Sequence, residues 1–410
     1  MIIPVNLGKD ELAEYDFSPA DIPFVKILKE GKRMKKRKIS KFVLPVILVV
    51  VLVIVAIFVI QRMQWSKMDV AERLDFLTKN VVDNETVFGS LVKIESKDST
   101  FKYENANGFM AIDDQFPLGS ISKMFTSGII YQLVDGGVVG LEDTLDFYLT
   151  DEEFDGLHYY DGTNNASSIT IEQLLSQTTG LPDYFLEPVN GKSIFDDIVE
   201  NDRFIEFEEK MERTKNLEPH FINGAPGKAY YSDINFDILE VIAERATGLT
   251  FEDILLDKIT GPLELENTEL ATVESEYIPI YYNDETLEIP LALSSFRGAG
   301  GIISDLDDLM VFLRAFFEGE IFSESHLDRG EWKEIQFEYH EYKKGMMRFK
   351  LTGVWAVFGS YELIGHSGSN NTFAFYCPDK DVYIIGTLNQ VTDPSVQYRL
   401  MTQLVGSIEN

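Results

Sequence analysis

The chain has 410 residues, 45% of them hydrophobic and 12% aromatic, which is enough to build a sizeable core and too apolar for a disordered chain. Its 68 Asp and Glu against 36 Lys and Arg give a net charge of −32, a field that repels phosphate backbones and excludes nucleic-acid binding. The single cysteine, Cys377, excludes an intramolecular disulfide. Residues 1–41 end in a basic run, "KEGKRMKKRKISK" (29–41). Residues 42–60, "FVLPVILVVVLVIVAIFVI", carry no charge and as a helix would span roughly 28 Å, close to a bilayer's hydrocarbon core. The basic flank predicts a cytoplasmic N-terminus and an extracytoplasmic remainder. "FVIQRMQWS" offers no small-residue cleavage site, so the segment reads as an anchor and not a cleaved signal. The charge divides the same way, with +5 on residues 1–65 and −37 on the rest.

Beyond the anchor, residues 61–83 form a juxtamembrane segment with a lead-in helix, "MDVAERLDFLTKNVV" (68–82), whose apolar residues recur at helical spacing. "VFGSLVKIES" and "TFKYENANGF" read as a hairpin about "KDS". Helical patterns and loops then dominate until strands return in "KLTGVWAVFG", "YELIGHSG" and "NTFAFYCPDKDVYIIGTLNQ", the last a hairpin turning at "PDKD". A closing helix follows with Asp393 as N-cap and Pro394 in its first turn. The acid runs "DEEFDG" and "SDLDDL" lack the spacing of a metal loop and read as solvated faces. Strands at both ends with helices between predict an α/β (α+β) domain over residues 84–410. An antiparallel sheet drawn from both termini is flanked by helices, with a mostly helical region inserted. The cleft belongs at their junction.

Ser-x-x-Lys occurs three times, at Ser90–Lys93, Ser99–Lys102 and Ser120–Lys123. The first two fall in the hairpin, where positions i and i+3 point to opposite faces. Only Ser120–Lys123 opens a helical run, "SISKMFTSGIIYQLVDGG", where i and i+3 share a face. A serine hydroxyl needs a nearby base, and a helix start offers free N–H groups to a developing oxyanion. "APGKAYYSDINFDILEVIAE" then puts Tyr231-Ser232-Asp233 before a helix, and "YELIGHSGSNNTFAFY" puts His366-Ser367-Gly368 at a strand end.

Ser-x-x-Lys, then Tyr-x-Asp, then His-x-Gly, in that order, resembles the serine β-lactamase and penicillin-binding-protein superfamily. The likeness is to the branch of class C β-lactamases, DD-peptidases, D-aminopeptidases and esterases. "SSITIEQLLSQTTGLPDYF", "ITGPLELENTEL" and "RGAGGIISDLDDLMVFLRAF" resemble family segments in the expected order, and the match covers roughly residues 84–408. The resemblance implies Ser120 as acylated nucleophile and Lys123 as its proton acceptor. It makes Tyr231 base and then acid, as a phenolate held by cations, and sets His366 across the cleft to position a carboxylate or the proton of Tyr231. It implies an oxyanion hole from the N–H groups of Ser120 and Ser369, with Gly368 leaving the strand edge clear for substrate. No metal or cofactor is implied.

Two departures carry information. Asp233 replaces the Asn of β-lactamases and favours a charged Lys123. His366 replaces the usual Lys and grips a carboxylate less firmly. Both argue against an efficient β-lactamase. A rival reading, "LIGHSGS" as a nucleophile elbow at Ser367, fails because that triad needs a later histidine and His366 is the last of five. The expectation is therefore a single-pass membrane-anchored serine hydrolase, extracytoplasmic and in contact with the cell wall, acting on a D-amino-acid peptide or an ester. A β-lactamase with the same machinery, or a non-catalytic penicillin- or wall-binding receptor, are the alternatives.

Overall fold

Strand pairing sets the frame of the computed structural model, which describes residues 65–350 and 360–408. One compact unit holds the chain from Leu74 onward; of a second, Pro4–Arg73, only residues 65–73 are described. The apolar stretch 42–60 and most of "KLTGVWAVFG" lie outside the described residues. Among the described residues, no helix is long and apolar enough to cross a membrane.

The hairpin forms as expected: β1 (Gly89–Ser96) and β2 (Lys102–Gly108) pair antiparallel, and Ser99 takes the left-handed conformation in the turn. Further along the chain, the strands that frame the site include β3 (Phe116–Pro117), β4 (Ile302–Ser304), β5 (Lys333–Glu334), β6 (His340–Lys343) and β7 (Met346–Lys350). β8 (Glu362–Ser367), β9 (Thr372–Cys377) and β10 (Val382–Thr387) follow. The large sheet runs β5-β6-β7-β8-β9-β10-β1-β2, every pairing antiparallel. The C-terminal β10 thus closes against the N-terminal β1, with Ile94 opposite Ile384. β3 and β4 form a small separate sheet with the short strand Glu269–Leu270.

The helices that matter to the site are α1 (Val70–Asn80), α2 (Ser122–Asp135), α3 (Phe207–Lys215), α4 (Ile234–Thr247), α5 (Pro290–Gly300), α6 (Leu306–Phe317) and α7 (Ser395–Ser407). α1 and α7 cover one face of the sheet. Thr78 of α1 accepts from Ser90 at 2.8 Å, and Tyr398 of α7 bonds Ser367 at 2.6 Å. α7 begins one residue later than expected, because Pro394 takes the cap position while the Asp393 carboxylate accepts from the N–H of Ser395. The inserted helical region covers the other face. Its centre is α2, buried without a break from Ser122 to Tyr131, as a helix inside a domain must be when no side of it meets water. Phe125 stacks on Phe312 of α6 at 3.5 Å, and Ala374 and Ile385 of the sheet join the same core.

The acid runs are not simply solvated faces. Asp305 caps α6 through the N–H of Asp308, and buried Asp308 accepts from the Asn267 N–H and the Thr268 hydroxyl. Glu153 completes a capping box with Thr150 and pairs with Arg245. Alternation of sign and spacing in a sequence cannot show these partners, which arrive from distant segments.

Candidate active site

Ser120 sits in a single 3-10 turn, Gly119–Ile121, that runs directly into α2. The turn is pinned on both sides: Leu118 donates to Ile302 O at 2.8 Å, and Asn370 donates to Pro117 O at 2.8 Å. Gly119 has φ +54°, and a Cβ there would stand 3.2 Å from both Asn370 Oδ1 and Gly368 Cα and 3.4 Å from Ser369 N. That close approach brings the two expected oxyanion donors together. Neither the Ser120 nor the Ser369 N–H has an acceptor among the described hydrogen bonds, so both are free for a developing oxyanion.

Gly368 also has a packing reason of its own. A Cβ on it would meet Leu118 O at 2.6 Å. Its bareness lets the β8–β9 turn pack on the nucleophile strand, whatever it leaves clear for substrate.

Lys123, one turn along α2 and fully buried, uses its ammonium three ways. It donates to Ser120 Oγ at 3.2 Å and to Ala299 O at 2.6 Å, and it pairs with Asp233 Oδ1 at 2.8 Å. The same i, i+3 spacing does nothing elsewhere: Ser90 caps back onto α1, while Lys93 reaches Asp307 and Lys102 reaches Glu95. Asp233 is the N-cap residue of α4, so the departure from the β-lactamase pattern places a carboxylate on the lysine.

Tyr231 precedes α4 by one turn and is clasped at both backbone polar groups by Gln336, each bond 2.8 Å. Its hydroxyl is buried with no hydrogen-bond partner. Burial, reinforced by Asp233 and Tyr342, pushes its pKa well above the ordinary value, with the Ser120 side chain pulling weakly the other way. The resting group is therefore a neutral phenol, and the expected phenolate is corrected: the nearby cation, Lys123, is already neutralised by Asp233.

His366 pairs across the sheet with Ala374, a residue of the main core, so it lies on the core side of the sheet and is fully buried. Burial, helped by the Lys123 charge, holds its imidazole well below the usual range. Nδ1 lies 3.0 Å from Ser367 O, which makes it the protonated nitrogen and leaves Nε2 as acceptor toward Tyr342 Oη at 3.5 Å. The ring stands 6.0 Å from that of Tyr231, so it flanks that residue without bonding it.

Sequence reasoning missed the supporting layer. Tyr342 meets Tyr231 edge-on at 5.6 Å. Gln177 accepts from the Ser232 N–H and from Asn235. Asp183 accepts from the Asp233 N–H at 3.1 Å, and burial beside Asp233 raises its pKa well above the carboxylate range. "SQTTGLPDYF" carries only a family likeness, and nothing local in it signals that Gln177 and Asp183 reach the Tyr231–Asp233 turn.

A family model described as Beta-lactamase matches residues 81–405. Penicillin-binding protein 4* of Bacillus subtilis (strain 168) is 24% identical over 290 residues, covering 63% of this chain. The chain spans 58% of that relative's length. Two solved structures share the fold. One is a D-stereospecific amidohydrolase from Streptomyces sp., with TM-score 0.65 and 24% identity, covering 80% of this chain and 97% of that one. The other is a D-amino acid amidase from Ochrobactrum anthropi SV3 complexed with L-phenylalanine, with TM-score 0.67 and 18% identity, covering 83% and 98%.

Proposed function

The chain belongs to the beta-lactamase family, and from that premise we propose that it is a serine hydrolase that cleaves an amide or ester of a D-amino acid through an acyl-enzyme on Ser120. The observation that carries the reading is the Lys123 ammonium at 3.2 Å from Ser120 Oγ with Asp233 2.8 Å behind it. The two structural neighbours, a D-stereospecific amidohydrolase and a D-amino acid amidase, support the substrate class.

In acylation, Ser120 Oγ attacks the carbonyl carbon. Lys123 takes the hydroxyl proton as it hands one of its own to Asp233. The oxyanion rests on the N–H groups of Ser120 and Ser369. Tyr231, already a phenol, protonates the leaving nitrogen or oxygen as the scissile bond breaks, and recovers its proton from Lys123. Deacylation reverses the route: water bonds the acyl carbon and gives its proton to the same relay, and Ser120 Oγ takes one back as the acid leaves. His366 stays neutral and shapes the wall beside Tyr231. A β-lactamase role is less favoured, since no ammonium stands where that reading needs one.

The hydrolase acts outside the cell membrane, anchored by residues 42–60, whose uncharged run and basic flank support that placement. One experiment addresses both parts. The full chain, and its Ser120→Ala variant, are treated with a fluorophosphonate and with a penicillin and weighed intact. A one-to-one adduct absent from the variant is expected. No adduct with either reagent on folded protein would overturn the reading in favour of a binding receptor. The same label, followed in fractionated cells, should stay with membranes and be reached by an impermeant reagent; label in the soluble fraction would overturn the anchor.

A further inference from the structure

The cavity into which Ser120 opens has a chemical character that narrows the substrate. Phe185, Phe195, Ile289, Leu293, Phe296 and Val391 line it. Phe185 stands edge-on to Phe296 at 5.3 Å and lies 6.1 Å from Phe195. These walls come from the loop after Gly180, the helix Ile194–Glu200, α5 and the segment following β10. They are four separate pieces, three of them from the inserted region. At the Ser120 end the polar groups are few: Ser369, Asn370 and Asp233, the last being the one ionisable carboxylate of the lining.

Among the described residues, no unpaired cation lines this cavity. The lining contains no Lys, Arg or His. Lys123 is divided among Ser120, Ala299 O and Asp233. Lys210 of α3, buried close by, is held by Asp237 at 2.6 Å and Ser295 O at 2.8 Å. Arg297 is held by Glu240 and Glu244. A substrate carboxylate entering here would lose its hydration, meet Asp233, and find no unpaired positive charge, whereas an uncharged apolar group would bury itself against aromatic and branched walls.

Resting on the acyl-enzyme reading, we propose that this cavity selects an uncharged substrate, an amide or ester bearing a large aromatic or branched apolar group next to the scissile bond, and rejects peptides that end in a free carboxylate beside it. Substrate choice is set by the insertion's aromatic wall, and charge is read by the absence of a cation.

The test compares four probes on the full chain: N-acetyl-D-Phe-D-Ala and N-acetyl-D-Ala-D-Ala, each with a free carboxylate and as the C-terminal amide. Phe over Ala should raise kcat/KM by about tenfold or more, the scale on which apolar pockets discriminate, and capping the carboxylate should raise it by a similar factor. In Phe296→Ala the Phe-over-Ala ratio should fall towards one, with fluorophosphonate labelling used to verify an intact site. Should that variant not fold, the wild-type ratios decide alone. Calorimetric binding of the same probes to Ser120→Ala separates the two readings. Preference in binding without turnover in the wild type keeps this pocket assignment and sinks the acyl-enzyme. Turnover with no side-chain preference, or with preference for the free carboxylate, overturns the pocket assignment and leaves the acyl-enzyme standing.

Discussion

Asp233 is the residue that most separates this site from a plain Ser-Lys pair. It sits against a lysine with no exposure to solvent, and a buried ammonium left without its anion is costly: breaking such a pair by removing one partner destabilises by about 3–5 kcal/mol. Asp233→Asn should therefore lower stability at neutral pH by about 3 kcal/mol on that scale, read by urea denaturation. It should also slow acylation, since Lys123 hands a proton to Asp233 as it takes the one from Ser120 and an asparagine cannot accept it. The fluorophosphonate acylation rate should then fall by about a hundredfold or more, the scale of losing a positioned proton-transfer group. Acylation at the wild-type rate would remove the Lys123–Asp233 relay from the mechanism and leave Tyr231 to take the proton. Tyr231 and His366, both neutral by burial, hold no charge that could compensate for the missing carboxylate.

At the level of elements, the site is a meeting of one helix and one turn. α4 presents Asp233, Asp237, Glu240 and Glu244 at spacings of three and four residues, so they share one side of the helix. Each takes a cation from elsewhere: Lys123 of α2, Lys210 of α3, and Arg297, whose left-handed φ of 41° interrupts α5. Glu240 also accepts from the Gly298 N–H at 2.8 Å, and the Gly298 and Ala299 carbonyls in turn accept from Thr126 and Lys123 of α2. The ladder thus sets the distance between α5 and the nucleophile helix. The turn contributes the other half through Gly119. Gly119→Ala would force a side chain into a left-handed backbone, at a cost of about 1–2 kcal/mol, and would press on Asn370 and Gly368. It should slow acylation by about a hundredfold, the scale of losing one oxyanion donor. Stability measured by thermal melting should fall only modestly. Acylation at the wild-type rate would show that the Ser120–Ser369 approach is not the oxyanion hole.

Across the whole molecule, what was legible in the sequence is what local patterning controls. The hairpin at 97–99, the Ser120 helix start, the turn before α4 and the strand ending at Ser367 depend on neighbours within a few residues. Tyr342, Gln336 and Asp183 were not legible, because Gln336 meets Tyr231 across 105 positions and Asp183 meets Asp233 across 50. Only the sheet register and the packing of the insertion bring them in. The same global packing buries groups whose protonation then depends on folding. Burial pushes the His340 imidazole from 6.5 down to about 4. Nδ1 donates to Glu338 O at 2.7 Å, Nε2 has no partner, and the rings of Phe349 and Tyr398 enclose it. Between those two pH values the unfolded chain binds a proton that the folded protein refuses, so stability falls as pH drops through the window, by at most about 3 kcal/mol for this group. His366 has the same sign. Asp183 has the opposite one: its raised pKa gives stability at low pH that is lost as pH rises above the unfolded carboxyl's 3.8. The net curve mixes both, but a difference between variants does not. His340→Gln should lose less stability than the wild type in urea titrations from pH 6.5 to about 4. Parallel curves would mean that His340 takes up its proton without unfolding and that the pocket of Phe349 and Tyr398 opens to admit it.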